Sequence, residues 1–204
     1  MLKQAVTKIV KNKGTGAGGK NTTLNGGGFE KKTSIEDKLL EHGFIKKNFN
    51  KPKEFYYEKQ FDNKTLIYIS QWGLRTFMEE LYNLSAIRKP DEAFITIDNS
   101  DKPKKTIVKI LEKKYQSREG SVDTKLWAGP GIKREYELYY NNKFEIEYCF
   151  SLSKYLENKM KSSVNKWVLL NKIFDEHNIK SFYYDKNPKY YDEIINWGFG
   201  IKLN

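Results

Sequence analysis

The sequence predicts a mixed α/β (α+β) fold in which a central β-sheet is flanked by helices. Three observations predict it. Short runs of β-branched and aromatic residues interchange with longer stretches of helical period. Turn-forming clusters separate these runs, and no stretch reads as an interdomain linker. The chain has 204 residues, 38% of them hydrophobic and 15% aromatic, which suits one domain around a sizeable core.

The elements follow in order. Residues 1–28 read as an N-terminal arm and a glycine-rich loop, because Gly14–Gly28 holds seven of the 14 glycines. That loop is either a flexible linker or a place where backbone lies close against phosphate. Gly14-x-Gly16-x-x-Gly19 spells a dinucleotide fingerprint only by its letters, since the next expected helix starts about ten residues later. Gly14-x-x-x-x-Gly19-Lys20-Asn21 nearly spells a Walker A loop, but Asn21 stands where the Mg²⁺-holding Ser or Thr is needed, so neither nucleotide reading is favoured. A helix is expected from Phe29 to His42, opened by Glu30, striped by Phe29, Ile35, Leu39 and Leu40, and stopped by Gly43. Glu54–Phe61 and Leu66–Ser70 read as a hairpin around Asp62-Asn63-Lys64. Trp72–Asn83 reads as a helix with Leu74, Phe77, Met78 and Leu81 on one face.

Ala93–Asp98 and Thr106–Lys114 are expected strands on either side of the turn cluster Asn99–Pro103. Ser121 to Tyr140 reads as helical, with Ser121 as N-cap and Gly129-Pro130-Gly131 as an interruption. Strands at Lys143–Ser151 and Lys180–Tyr184 and helices at Val164–His177 and Tyr190–Trp197 follow. Phe199–Leu203 is expected as a last strand.

The net charge is +11, which points to a polyanion, nucleic acid first and an acidic membrane surface second. The lone cysteine, Cys149, excludes an internal disulfide and a Cys-rich zinc site. It lies in an apolar run and is expected to be buried. His42 and His177, the two histidines, supply a His-ligated metal site poorly. No stretch approaches the roughly 20 apolar residues of a membrane span, and the start lacks a signal-peptide core. A cytoplasmic protein without a membrane partner is expected.

The chemistry concentrates at Pro90-Asp91 and Glu112-Lys113-Lys114. Alternation along a strand puts Ile110, Glu112 and Lys114 on one face, with Leu111 and Lys113 on the other. A hairpin running from Ala93 to Lys114 would return Asp91 to the neighbourhood of Glu112. Two carboxylates side by side suit a hard divalent cation such as Mg²⁺, which takes oxygen ligands and keeps waters. A lysine on the same face could position or activate water, or stabilise charge on a phosphorane. Alternation favours Lys114 over Lys113. It leaves Asp91 and its neighbour Glu92 open as the metal ligand.

Pro90-Asp91, twenty intervening residues, then Glu112-x-Lys114 closing an apolar strand resembles the signature of the PD-(D/E)XK nucleases. The flanks also look like type II restriction endonucleases. They are Gly16–Thr22 with Gly28-Phe29-Glu30, Pro90–Phe94, Leu111–Gln116, and Gly120-Ser121-Val122-Asp123-x-Lys125-Leu126. Together these blocks cover about the first two-thirds of the chain. The resemblance implies a restriction-endonuclease-like core at 29–140 and Mg²⁺-dependent phosphodiester hydrolysis of double-stranded DNA at a short specific site. It implies Asp91 and Glu112 as metal ligands, Lys114 as the catalytic lysine and Glu30 as an extra acidic member. Candidate DNA contacts are Lys20, Asn21, Gln116, Ser121, Lys125, Lys133 and Arg134. Residues 141–204 would be an α/β part available for target recognition. A chain of this size suits a homodimer reading two half-sites, with a cognate DNA methyltransferase as genetic partner. The competing readings are a repair or structure-specific nuclease of the same fold, and a non-catalytic nucleic-acid-binding protein using Phe55–Tyr57 or Phe182–Tyr184 as stacking surfaces.

Overall fold

Short connections between consecutive strands favour antiparallel neighbours, and longer connections carrying helices permit parallel ones. Both regimes occur here in one sheet. A computed structural model describes residues 20–51, 54–71, 73–100, 103–141 and 143–202, with side chains from residue 26 onward. Seven strands pair in strict chain order: β1 (Ile45–Asn48), β2 (Phe55–Phe61), β3 (Lys64–Ser70), β4 (Glu92–Asp98), β5 (Lys105–Lys114), β6 (Glu145–Leu152) and β7 (Ile179–Tyr183). From β1 to β5 every pairing is antiparallel. β5, β6 and β7 are parallel, because helices α4 (Val122–Trp127) with α5 (Gly129–Tyr139), and α6 (Lys154–Met160) with α7 (Asn165–Glu176), carry the crossovers. The remaining helices are α1 (Lys20–Lys32), α2 (Glu36–Glu41), α3 (Gly73–Tyr82) and α8 (Tyr190–Phe199).

Each face of the sheet has its own core. Ile69, Ala93, Ile95, Val108, Ile110 and Phe150 pack with Phe77 of α3, Leu126 of α4, Tyr136 of α5 and Leu170 of α7. Tyr68, Phe94, Leu111 and Cys149 face the other way, onto Leu39 of α2 and Ile194, Trp197 and Phe199 of α8. Neighbouring residues along β4 and β5 thus go to opposite cores, as strand geometry requires. Gly198 lets α8 sit directly on Phe94, because any Cβ there would strike the ring. The close approach offsets the roughly 1 kcal/mol that glycine costs inside a helix. Cys149 is buried, as its apolar run implies, and burial pushes its thiol well above the usual range.

Several expectations change. The helix expected at Phe29–His42 is two helices. α1 runs back through Gly26–Gly28 to Lys20, so this part of the glycine-rich segment is helical and not a loop. Glu30 therefore lies near the end of α1 and does not open it. Tertiary contacts override glycine's poor propensity there: Phe29 packs on Tyr115 and Tyr184 at centroid distances of 5.7 and 6.1 Å. The Thr33 N–H and hydroxyl both donate to the Phe29 carbonyl, at 3.0 and 2.8 Å, at the end of α1 before α2 begins. Residues 14–19 lie outside the described residues.

Leu40 and Leu81 are exposed and belong to no buried stripe. Gly129-Pro130 opens α5, where proline's missing N–H costs nothing, and a Cβ at Gly129 would come within 2.8 Å of Phe150. Ser121 occupies the N-cap position of α4 without making a capping hydrogen bond. The last strand does not form: α8 extends to Phe199 and closes on Gly200 at φ +66°, the left-handed stop favoured by glycine. Leu203 and Asn204 lie outside the described residues. Strand β1, exposed along its length, and the short α6 carry no clear periodic signal. Among the described residues no helix is long and apolar enough to cross a membrane.

Candidate active site

β4 and β5 pair with Glu92 opposite Leu111 and Ala93 opposite Ile110. That register settles which residues share a face. Ala93 and Ile110 enter one core, and Leu111 the other. Asp91, one step before Glu92, therefore falls on the face of Glu112. The backbone N–H of Lys113 donates to Asp91 Oδ2 at 2.6 Å and holds this carboxylate against the end of β5. Lys114 Nζ reaches Glu112 Oε2 at 2.5 Å and Asp91 Oδ2 at 3.4 Å. The cluster is half-buried: side-chain exposure is 17% for Lys114, 24% for Asp91 and 18% for Glu112.

The reverse face carries a second pair. Lys113 and Glu92 form a direct ion pair with side-chain exposures of 3% and 4%. Lys113 Nζ also donates to the carbonyls of Thr33 at 3.1 Å and Glu30 at 3.3 Å, fastening the end of α1 to β5. The Tyr68 phenol lies beside Glu92.

Burial raises the Glu112 pKa, and the neighbouring Asp91 raises it further, while Lys114 pulls it back. Burial alone would lower Lys114, but Glu112 and Asp91 outweigh it and hold the ammonium above its ordinary value. Glu92 is raised by burial against the pull of Lys113. Glu30 shares a cleft of about 250 Å³ with Asp91, Glu92 and Lys113. Its carboxyl is raised by partial burial and then by Asp91, with Lys113, Lys114 and Lys89 opposing.

A larger cleft, about 460 Å³, opens on the other side of the cluster. Glu112 and Lys114 line it together with Arg88, Lys89, Lys125 and Tyr148. The hydroxyls of Tyr148 and Tyr136 are buried beside Glu112 and have no hydrogen-bond partner. Burial and then Glu112 push both phenols up, so they stay protonated. Sequence reasoning missed Arg88, Lys89 and Tyr148. A signal existed for the first two, a basic dipeptide directly before Pro90-Asp91. None existed for Tyr148, whose position depends on the β5–β6 register.

The other candidates divide. Lys125 lines the large cleft. Gln116 does not continue the strand face: it lies beyond β5 and turns inward. Its backbone is tied to Ser153 Oγ by two hydrogen bonds. Ser121 is exposed and does not line the cleft. Lys133 donates to the His177 carbonyl at 2.8 Å, and Arg134 pairs with Glu137 at 2.9 Å. Neither lines the cleft. The side chains of Lys20 and Asn21 lie outside the described residues.

The donor chemistry at the cluster fits Mg²⁺, which is commonly held by one or two carboxylates and completes its shell with water and phosphate oxygens. Asp91 and Glu112 are the two carboxylates the cluster offers. Among the described residues no group of three or more Asp, Glu, His or Cys side chains is placed to hold an ion. No protein-family model, curated protein or solved structure matches the chain.

Proposed function

We propose that the chain is a Mg²⁺-dependent nuclease of the PD-(D/E)XK kind, acting as a type II restriction endonuclease on double-stranded DNA. The observation that carries this reading is the convergence of Asp91, Glu112 and Lys114 on one face at the end of β5, beside an open basic cleft. In this reading the sheet is a restriction-endonuclease-like core. β5 is antiparallel to β4 and parallel to β6, and the cluster lies at its carboxyl end.

Asp91 and Glu112 would hold the ion, and the Lys113 N–H keeps Asp91 aimed at it. When bound, Mg²⁺ supplies Lewis-acid polarisation of a phosphate oxygen and a more acidic water. Lys114 remains an ammonium between two carboxylates, so its role is to orient the attacking water and stabilise phosphorane charge rather than to take a proton. Glu30 approaches Asp91 from the opposite cleft and adds negative charge near the ion. A homodimer would present two such sites to a palindrome, and a cognate methyltransferase would protect host DNA.

The test is incubation of plasmid DNA with the purified protein, with Mg²⁺ and with EDTA. Discrete fragments that need Mg²⁺ and vanish in Lys114→Ala are expected. Uncut plasmid, or cutting retained by Lys114→Ala, overturns the reading. A smear moves it to a structure-specific nuclease.

A further inference from the structure

The segment leading into β4 separates two clefts. Ile87, Arg88 and Lys89 line the large cleft on one side. The same three residues line a second cleft of about 210 Å³ on the other, with Gln71 and Arg75. The segment is therefore a ridge with a hollow on each flank, ending at Pro90-Asp91. Its charge is one-sided. Arg75, Arg88, Lys89, Lys114 and Lys125 line the two hollows, where Glu112 is the one carboxylate in the walls, while Glu79, Glu135 and Asp91 pair with Arg75, Arg88 and Lys114 from outside the lining. The cleft on the reverse of the cluster has the opposite balance, with Glu30, Glu36, Asp91 and Glu92 against Lys31 and Lys113. A polyanion approaching this end of the sheet is drawn to the ridge and repelled from the reverse.

From this arrangement we infer that the ridge carries the sugar–phosphate backbone of a nucleic-acid strand. One phosphate would lie in the hollow of Arg75 and Gln71, a later one in the hollow of Lys125, and Arg88 and Lys89 would lie beneath the chain between them. The inference rests on the nuclease reading for its direction, because such a path delivers the strand to Glu112 and Lys114. The hollows are too small to admit a duplex, so they receive protruding phosphates of one strand. Arg88 is held at its place by Glu135, whose carboxylate accepts from Nε at 2.6 Å. Arg75 is braced in the same way by Glu79 at 2.7 Å.

Arg75 and Lys125 test the two hollows separately. Both are exposed and lie outside the catalytic cluster. Binding of a fluorescent duplex would be measured in EDTA across a KCl series, with Arg75→Ala, Lys125→Ala, the double variant, Lys125→Glu, and Lys172→Ala on α7 as a distant control. Each lost phosphate contact reduces the slope of log K against log salt by about 0.9 on duplex DNA. The expected result is a drop of about 0.9 for each single variant and about twice that for the double. Weaker binding by Lys125→Glu and an unchanged control complete it. Single variants with the wild-type slope, or loss at only one of the two positions, overturn the track. If wild type binds with these slopes but never cuts, the track stands and the nuclease reading falls. If it cuts while the variants bind like wild type, the track falls alone. Absence of any DNA binding overturns both.

Discussion

Two carboxylate–lysine pairs sit back to back on the same two strands, shifted by one residue. Asp91 and Glu112 meet Lys114 on one face, and Glu92 meets Lys113 on the other. Their chemistry is alike and their surroundings differ. The Glu92–Lys113 pair is almost wholly buried where β5 meets the end of α1, with its ammonium also bound to two carbonyls. The Lys114 pair keeps about a fifth of its surface open and borders a cleft. A pair buried this deeply anchors the fold, because its charges must satisfy each other, and only its edge forms part of the smaller cleft's wall. An open pair with one lysine for two carboxylates can exchange partners. Exposure, rather than residue type, separates a structural ion pair from a candidate site here.

The sharpest way to break this contrast is to delete each lysine. Lys114→Met should lower cleavage by about 10³-fold with a modest change in urea midpoint. Lys113→Met should leave a carboxylate buried and unpaired, costing about 3–5 kcal/mol in urea unfolding. Equal stability losses for the two variants would erase the distinction. Next in size is rescue. Glu92→Leu with Lys113→Met should return to within about 1 kcal/mol of wild type, since apolar replacement of a buried pair is often neutral. Asp91→Asn with Lys114→Met should stay inactive. A dead but stable Glu92–Lys113 double variant would move catalysis to the sealed face.

The third test is titration. Glu112 and Glu92 both have folded-state pKa values raised by burial. The native state therefore binds more protons than the unfolded chain over the interval above the ordinary glutamate value. Stability falls as pH rises through that interval and is higher below it. Urea midpoints from acidic to neutral pH should show this fall. Glu112→Gln and Glu92→Gln should each remove part of it. Mg²⁺ should flatten only the Glu112 part, because an ion at the open face opposes its protonation. Flattening lost in Glu92→Gln but kept in Glu112→Gln would contradict the assignment. The smallest effect belongs to Glu30→Gln, expected to raise the Mg²⁺ needed for half-maximal cleavage by about tenfold, read from an ion titration of initial rates.

Strands β2 to β7 are legible in the sequence because alternation and β-branched runs are local properties. Strand parity alone also puts Glu112 and Lys114 on one face. The choice between Asp91 and Glu92 is not legible, because it depends on the β4–β5 register, which the turn between the strands determines in three dimensions. Gly26–Gly28 reads as loop because propensity is local, whereas the contacts of Phe29 and Lys113 that hold α1 come from distant strands. Lys133 reads as a phosphate contact, since nothing near it reveals that its partner carbonyl is 44 residues away. Arg88 and Lys89 lack a period to mark them, being on an irregular ridge.

The strict chain order of the sheet has a consequence for how the molecule assembles. β2 to β5 join through hairpins and one helix, so Asp91 and Glu112 come together over a span of 22 residues or fewer. β6 and β7 need two helical crossovers, and non-local closure is slower. The carboxylate pair should thus exist early in folding, before Tyr148 and the crossover carrying Lys125 complete the cleft. Pulse-labelled hydrogen exchange during refolding should protect β3–β5 amides ahead of those in β6 and β7, and simultaneous protection would refute that order. On the proposed reading, a chain caught between these stages would hold its carboxylates ready for a cation before it has a cleft to receive a nucleic acid.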